Sequence, residues 1–221
     1  MLALFGHPFS SYTWKAQIAL HALGLDYDFR VLDTENPATC PNWAFVHAQA
    51  GPLGQFPVLA HDDAVIFEAS CIVEYLSLHF PSDVPLIPDD PDAAIAVRML
   101  DRVFDLSLMN VMQGAVMEAI RHPGAPDPEV LADVRAKLHR TFAWLENWLK
   151  HSYHAPDHIT LIECAAAPSL FYADWVEQIT EDYPRLKAWR AQLNALPAVS
   201  RCIETARPFR AYFPLGAPDR D

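Results

Sequence analysis

Apolar residues between Leu2 and about Phe80 switch repeatedly between short alternating runs and longer helical ones, whereas beyond Ala93 only the helical period remains. LALFG, residues 2–6, is a short apolar strand ending at Gly6. A helix follows over about Ser11 to Leu23, because Trp14, Ile18 and Ala22 share one face, Ala16, Leu20 and Leu23 sit beside it, and Gly24 is placed to end it. YDFRVLD sets Tyr27, Phe29 and Val31 against Asp28, Arg30 and Leu32, a period of two that predicts a strand. The helical crossover lets that strand run parallel to the first. PVLAH and AVIF flank Asp62 and Asp63, an acidic pair suited to a tight hairpin, and EASCIVEYLSLHF returns to helical spacing. The order βαβ(α)ββα predicts a small mixed sheet with helices packed on it.

Residues 81–92, PSDVPLIPDDPD, hold prolines that cannot continue a helix. They mark a linker between an amino-terminal α/β domain, residues 1–80, and an all-α domain, residues 93–221. The second part contains two long helical runs separated by RHPGAPDP, a helix from about Leu161, another around PRLKAWRAQLNAL, and a tail punctuated by proline. ITLIECAAAP reads as a capping box with a hydrophobic staple, in which Thr160 caps, Glu163 reaches back and Ile159 packs on Cys164.

A formal net charge of −12 argues against nucleic acid or an anionic membrane surface as partner, since both need clustered Lys and Arg. Runs such as CIVEYL and ECAAAPSLF fall short of the roughly 20 residues that a membrane span requires, and no basic-then-apolar leader opens the chain. Cys40, Cys71, Cys164 and Cys202 are scattered, with neither a CxxC nor a Cys/His spacing suited to zinc. Free thiols in a cytoplasmic protein without a metal site are the expectation.

Two segments carry candidate chemistry. Ser10 and Ser11 stand at the mouth of the first helix, where a hydroxyl serves as a cap or as a donor to a reacting group. His7 lies near them, but no GxSxG elbow accompanies the pair. In GPLGQFPVL, Pro57 begins a strand that must pair inside the sheet. A cis Phe56-Pro57 bond is expected there, turning the Phe56 backbone outward as an edge for an extended peptide; an ordinary trans proline at a strand start is the alternative.

Together these elements resemble the cytosolic glutathione transferase family over nearly the whole chain. GPLGQFPVL is similar to the family pattern NPLGQVPVL, with Gly51 in place of Asn, and FEASCIVEYL to FESSVICEYL. SSYTWKAQIAL resembles SSCSWRVRIAL of the serine-type zeta class, as in its bacterial members, the branch that includes maleylacetoacetate isomerases. The resemblance implies a thioredoxin-like amino-terminal domain, an all-α carboxy-terminal domain and a homodimer. It implies glutathione as cofactor and a small electrophile as second substrate.

By the same resemblance Ser10 donates to the glutathione sulfur and Ser11 caps the helix, while Tyr12 is a weaker contender. Phe56, beside Gln55 and Pro57, supplies main-chain partners for the cysteinyl unit; Glu68 and the N–H of Ala69 meet the γ-glutamyl end. Ala69 departs from the family's serine, and Ser70 substitutes for it only if the helix begins one residue later. Gln55 and His47 are the polar candidates for the glycine carboxylate. Phe104, Leu108, Met109, Met112 and Met117 are candidates for the second pocket or for plain core. Arg207, Arg210 and Tyr212 either meet an anionic substrate or tie down the terminus. A fold-sharing binding or regulatory protein with weak catalysis is the alternative function.

Overall fold

The computed structural model describes residues 1–151 and 158–221. Strands β1 (Leu2–Gly6), β2 (Asp28–Val31), β3 (Val58–His61) and β4 (Ala64–Phe67) form one sheet in the order β2-β1-β3-β4. Helix α1 (Ser11–Ala22) is the crossover that lets β2 pair parallel with β1, while β3 pairs antiparallel with β1 and turns back on β4. Asp62 takes φ 52° in that hairpin, a left-handed conformation that Asp tolerates better than most residues. Helix α2 (Pro41–Gln49) lies between β2 and β3 in the chain, and α3 (Ala69–His79) follows β4. This is the βαβαββα order expected of a thioredoxin-like domain.

The expected alternation in β2 is incorrect at its end. Val31 is 42% exposed and Leu32 is fully buried, because the strand stops at Val31 on the sheet's edge. Leu32 instead donates its N–H to the Gly6 carbonyl at 2.9 Å and joins Phe5, Val46 and Val58 in a small core under α2.

The rest of the described chain is helical. Asp90 caps α4 (Pro91–Arg102), accepting from the Ala93 N–H at 2.8 Å, so Pro91 and Asp92 belong to the helix. A π-helical segment, Val103–Met109, joins α4 without a break to α5 (Asn110–Arg121). By length and composition Pro91–Arg121 is apolar enough to cross a membrane, which the run-by-run reading of the sequence missed. In this fold its Phe104, Leu108 and Met112 are buried in the main core. Then come α6 (Pro128–His151), α7 (Leu161–Val176), α8 (Pro184–Ala195), α9 (Pro197–Ala206) and a 3-10 turn, Arg207–Tyr212.

Helix α7 is the axis of this half, with every residue from Leu161 to Trp175 buried. Its capping box is formed as expected: Thr160 donates its N–H to Glu163 Oε2 at 2.8 Å, and Ile159 packs on the core cluster that includes Cys164. The same helix fastens the two halves together. The Trp14 ring of α1 lies 4.9 Å from Phe171 and 5.3 Å from Tyr172, so one apolar core runs from the sheet through α1 into the bundle. This seam positions the loop between β1 and α1.

Candidate functional site

Gly6 opens that loop because a Cβ there would stand 2.6 Å from the Thr13 side chain. Thr13 Oγ1 therefore comes close enough to accept the His7 N–H at 3.3 Å. Two carbonyls of the loop are fixed from below: Trp14 Nε1 donates to Pro8 at 2.6 Å and the Tyr172 hydroxyl donates to Phe9 at 3.0 Å. The loop is thus held rigidly where it meets α1.

Ser10, not Ser11, caps α1. Its backbone is extended (φ −90°, ψ 124°) and its Oγ accepts the Thr13 N–H at 3.3 Å. Ser11 is already the first helical residue and is 5% exposed, so its geometry does not suit a cap. This reverses the expected division of labour, yet leaves the Ser10 hydroxyl proton free, since capping uses only a lone pair.

Both serines line a cavity of about 280 Å³ between the halves. His7 and Phe9 add to the loop side, and Phe56 and Thr34 come from the sheet side. Met112, Gln113, Val116 and Ile120 of α5 face them, Tyr172 forms the floor, and Tyr212, Phe213 and Pro214 close it from the tail. Of the expected pocket residues only Met112 lines this cavity. Phe104, Leu108 and Met109 are core, and Met117 is 40% exposed outside it. Gln113, Val116 and Ile120 recur with Met112 along one helical face, a pattern visible in the sequence but not singled out.

Other candidates lie elsewhere. The Phe56-Pro57 bond is cis, as expected. Gln55 and His47 are exposed and do not line the cavity. Glu68 precedes α3 with φ 67°, a left-handed conformation costing a non-glycine residue about 1–3 kcal/mol. Ala69 begins α3, and no side chain caps the helix. Ser70 is not free to replace the missing hydroxyl: it donates to Asp101 Oδ2 at 2.8 Å and accepts from Lys15 Nζ at 2.8 Å. Lys15 also meets Asp105 at 2.9 Å, and burial raises the Asp105 carboxyl above its ordinary range. The Tyr12 hydroxyl donates to Asn110 Oδ1 at 3.0 Å, and burial pushes its pKa up, away from ionisation at neutral pH.

The tail's arginines tie down the terminus. Arg207 and Arg210 pair with Asp221 at 2.5 and 2.7 Å, and Arg220 pairs with Asp174 at 2.8 Å. Tyr212 spans to the loop after β2, donating to Glu35 Oε1 at 2.6 Å. Among the described residues, no Lys or Arg lines the cavity. It offers hydroxyls and ring edges to a ligand.

Two family models match the chain: glutathione S-transferase, N-terminal domain, over residues 1–77, and glutathione S-transferase, C-terminal domain, over residues 128–192. Among curated relatives, glutathione S-transferase 1 of Dianthus caryophyllus is 28% identical, covering 76% of each chain. A probable maleylacetoacetate isomerase of Caenorhabditis elegans is 24% identical, covering 88% of this chain and 89% of its own. The crystal structure of a glutathione S-transferase from Methylobacillus flagellatus KT with GSH bound superposes with a TM-score of 0.78 at 26% identity, covering 91% of this chain and 98% of that one.

Proposed function

This chain belongs to the glutathione S-transferase family, and from that premise we propose how its own residues perform the family's chemistry. It is a glutathione-dependent transferase or isomerase. Glutathione supplies a sulfur nucleophile. A thiol of reference pKa about 8.5 is only a few per cent thiolate at pH 7, so the protein must favour the anion.

Ser10 does this by donating its hydroxyl proton as a hydrogen bond to sulfur. The observation that carries the reading is its double placement, at the cap of α1 and in the wall of the cavity. A charge-assisted bond of roughly 1.5–3 kcal/mol corresponds to lowering the thiol pKa by about 1–2. The serine-type, zeta-like assignment rests on the same residue, and on Phe5 and Gly6 at the end of β1, where tyrosine classes carry their hydroxyl.

The γ-glutamyl end is bound by Glu68 and the uncapped start of α3. A helix N-terminus favours a carboxylate, and the strained Glu68 backbone suits a position held for binding. Phe56 belongs to the same site, flanked by Gln55 and Pro57. Ala69 lacks the hydroxyl that would complete it, which favours weaker glutathione binding; a binding or regulatory protein with slow turnover is the second reading. Retention on immobilised glutathione without conjugation of any electrophile would support that second reading.

We place the protein in the cytoplasm as a homodimer. Supporting this, Ile95, Met99, Leu106 and Trp144 leave large apolar side chains exposed on α4, the π-helical segment and α6, and the four cysteines are free. The decisive experiment reads thiolate absorbance of bound glutathione against pH. Ser10→Ala is expected to raise its pKa by about 1–2; a pKa raised by Ser11→Ala and unmoved by Ser10→Ala would overturn the assignment.

A further inference from the structure

His7 sits in the cavity wall three residues before Ser10, and its tautomer is fixed by the fold. The Phe9 N–H donates to His7 Nδ1 at 3.1 Å, so that nitrogen keeps its lone pair and the ring proton is assigned to Nε2. Burial lowers the pKa of the imidazole, and protonation at Nδ1 would also break the Phe9 bond, so the ring stays neutral. Among the described residues no group accepts from Nε2. The ring is held edge-to-face against Phe209, 4.8 Å between centroids. The residue that carries this neutral, oriented donor thus lines a cavity with no Lys or Arg among the described residues of its wall.

We infer that His7 Nε2–H is a catalytic hydrogen-bond donor to an oxygen of the electrophile that gains negative charge as the sulfur adds, with an enone as the probe of that role. The inference rests on the transferase reading given above. In the step, the thiol first loses its proton to solvent. Sulfur then bonds to the β-carbon of an α,β-unsaturated ketone, the C=C π pair shifts toward the carbonyl, and the oxygen becomes an enolate. His7 donates a hydrogen bond to that oxygen without giving up its proton. The α-carbon finally takes a proton from water, which restores the balance. A protonated imidazole or an arginine in that position would instead attract carboxylate substrates. The arginines nearest the tail wall are engaged by Asp221 and Asp174.

The test compares benzylideneacetone, an enone, with benzyl chloride, in which no oxygen gains charge. In His7→Phe the ratio of kcat/KM for the enone to that for the halide should fall on the order of a hundredfold. His7→Asn keeps an acceptor for the Phe9 N–H but withdraws the donor from the ε position, and the same fall is expected. A ratio unchanged in His7→Phe would overturn the inference, as would an enone rate retained by His7→Asn, which would assign His7 to holding the loop. The bound-thiol pKa, measured in both variants, separates this donor from Ser10: it should stay at the wild-type value. If wild-type protein turns over neither electrophile while binding glutathione, the transferase reading itself falls.

Discussion

Lys15 Nζ stands 2.5 Å from Asp101 Oδ1, and both side chains are sealed from solvent. The pair ties α1 to α4, and Ser70 of α3 joins it through hydrogen bonds to both partners. Lys15→Met removes the nearest positive charge from a buried carboxylate whose other cation, the half-exposed Arg102, stands 3.3 Å from Oδ2, so it is expected to cost about 3 kcal/mol, the low end for a broken buried pair. Lys15→Met with Asp101→Leu should recover part of that loss. Urea unfolding measures both, and because the pair and the Trp14 contacts join the halves, one cooperative transition is expected. A loss under about 1 kcal/mol would class the pair with solvated surface bridges.

Ser10→Ala removes the cap of α1 together with the proposed sulfur donor. It should therefore destabilise the fold by about 1 kcal/mol, the usual cost of a lost serine cap. Ser11→Ala should cost less. Thermal unfolding of the two variants without glutathione reads the cap separately from the chemistry.

Stability should fall as pH drops below about 6.5. Burial lowers the pKa of both His7 and His21, and His21 is satisfied while neutral by the Ala198 carbonyl at 3.1 Å and the Tyr27 hydroxyl at 3.2 Å. A depressed folded pKa means that the unfolded chain binds more protons between that value and the ordinary 6.5. The stabilisation is complete above the unfolded pKa and is lost as pH falls toward the folded one. Urea midpoints measured from pH 8 to pH 5 should decline, and the decline should be shallower in His21→Phe; an equal slope would assign the loss to other groups.

Asp221→Asn removes the carboxylate that Arg207 and Arg210 share. The tail then holds Tyr212, Phe213 and Pro214 less firmly against the cavity. A loss of about 0.5–1 kcal/mol in docking corresponds to a KM for the electrophile raised roughly 2- to 5-fold. The KM for glutathione should change less. Steady-state kinetics with each substrate varied in turn distinguishes this from a general loss of active enzyme.

The elements whose cause is local were legible in the sequence. The βαβ unit, the Asp62-Asp63 hairpin and the Thr160-Glu163 capping box each follow from spacing and from a turn or cap residue. The cavity wall was not, for a specific reason. The π-helical segment, Val103–Met109, has more residues per turn than an α-helix, so a face followed at α-helical spacing from Phe104 drifts off register before α5. Phe104, Leu108 and Met109 turn into the core, whereas Val116 and Ile120 reach the cavity. The choice between Ser10 and Ser11 turned on which residue keeps extended backbone angles, a difference of one position that periodicity does not resolve. Leu32 was misplaced because an edge strand ended one residue before the alternation did.

The Phe9 carbonyl waits for a donor 163 residues further along the chain, the Tyr172 hydroxyl. A ribosome releases the amino-terminal end first, so the β1–α1 loop emerges long before α7 can clamp it. Until then Trp14 has no Phe171 or Tyr172 to cover it, and the growing polypeptide carries an exposed aromatic surface. Synthesis arrested between α3 and α7 would leave a sticky fragment in need of a chaperone, and one arrested before Tyr212 would lack the final wall of the cavity.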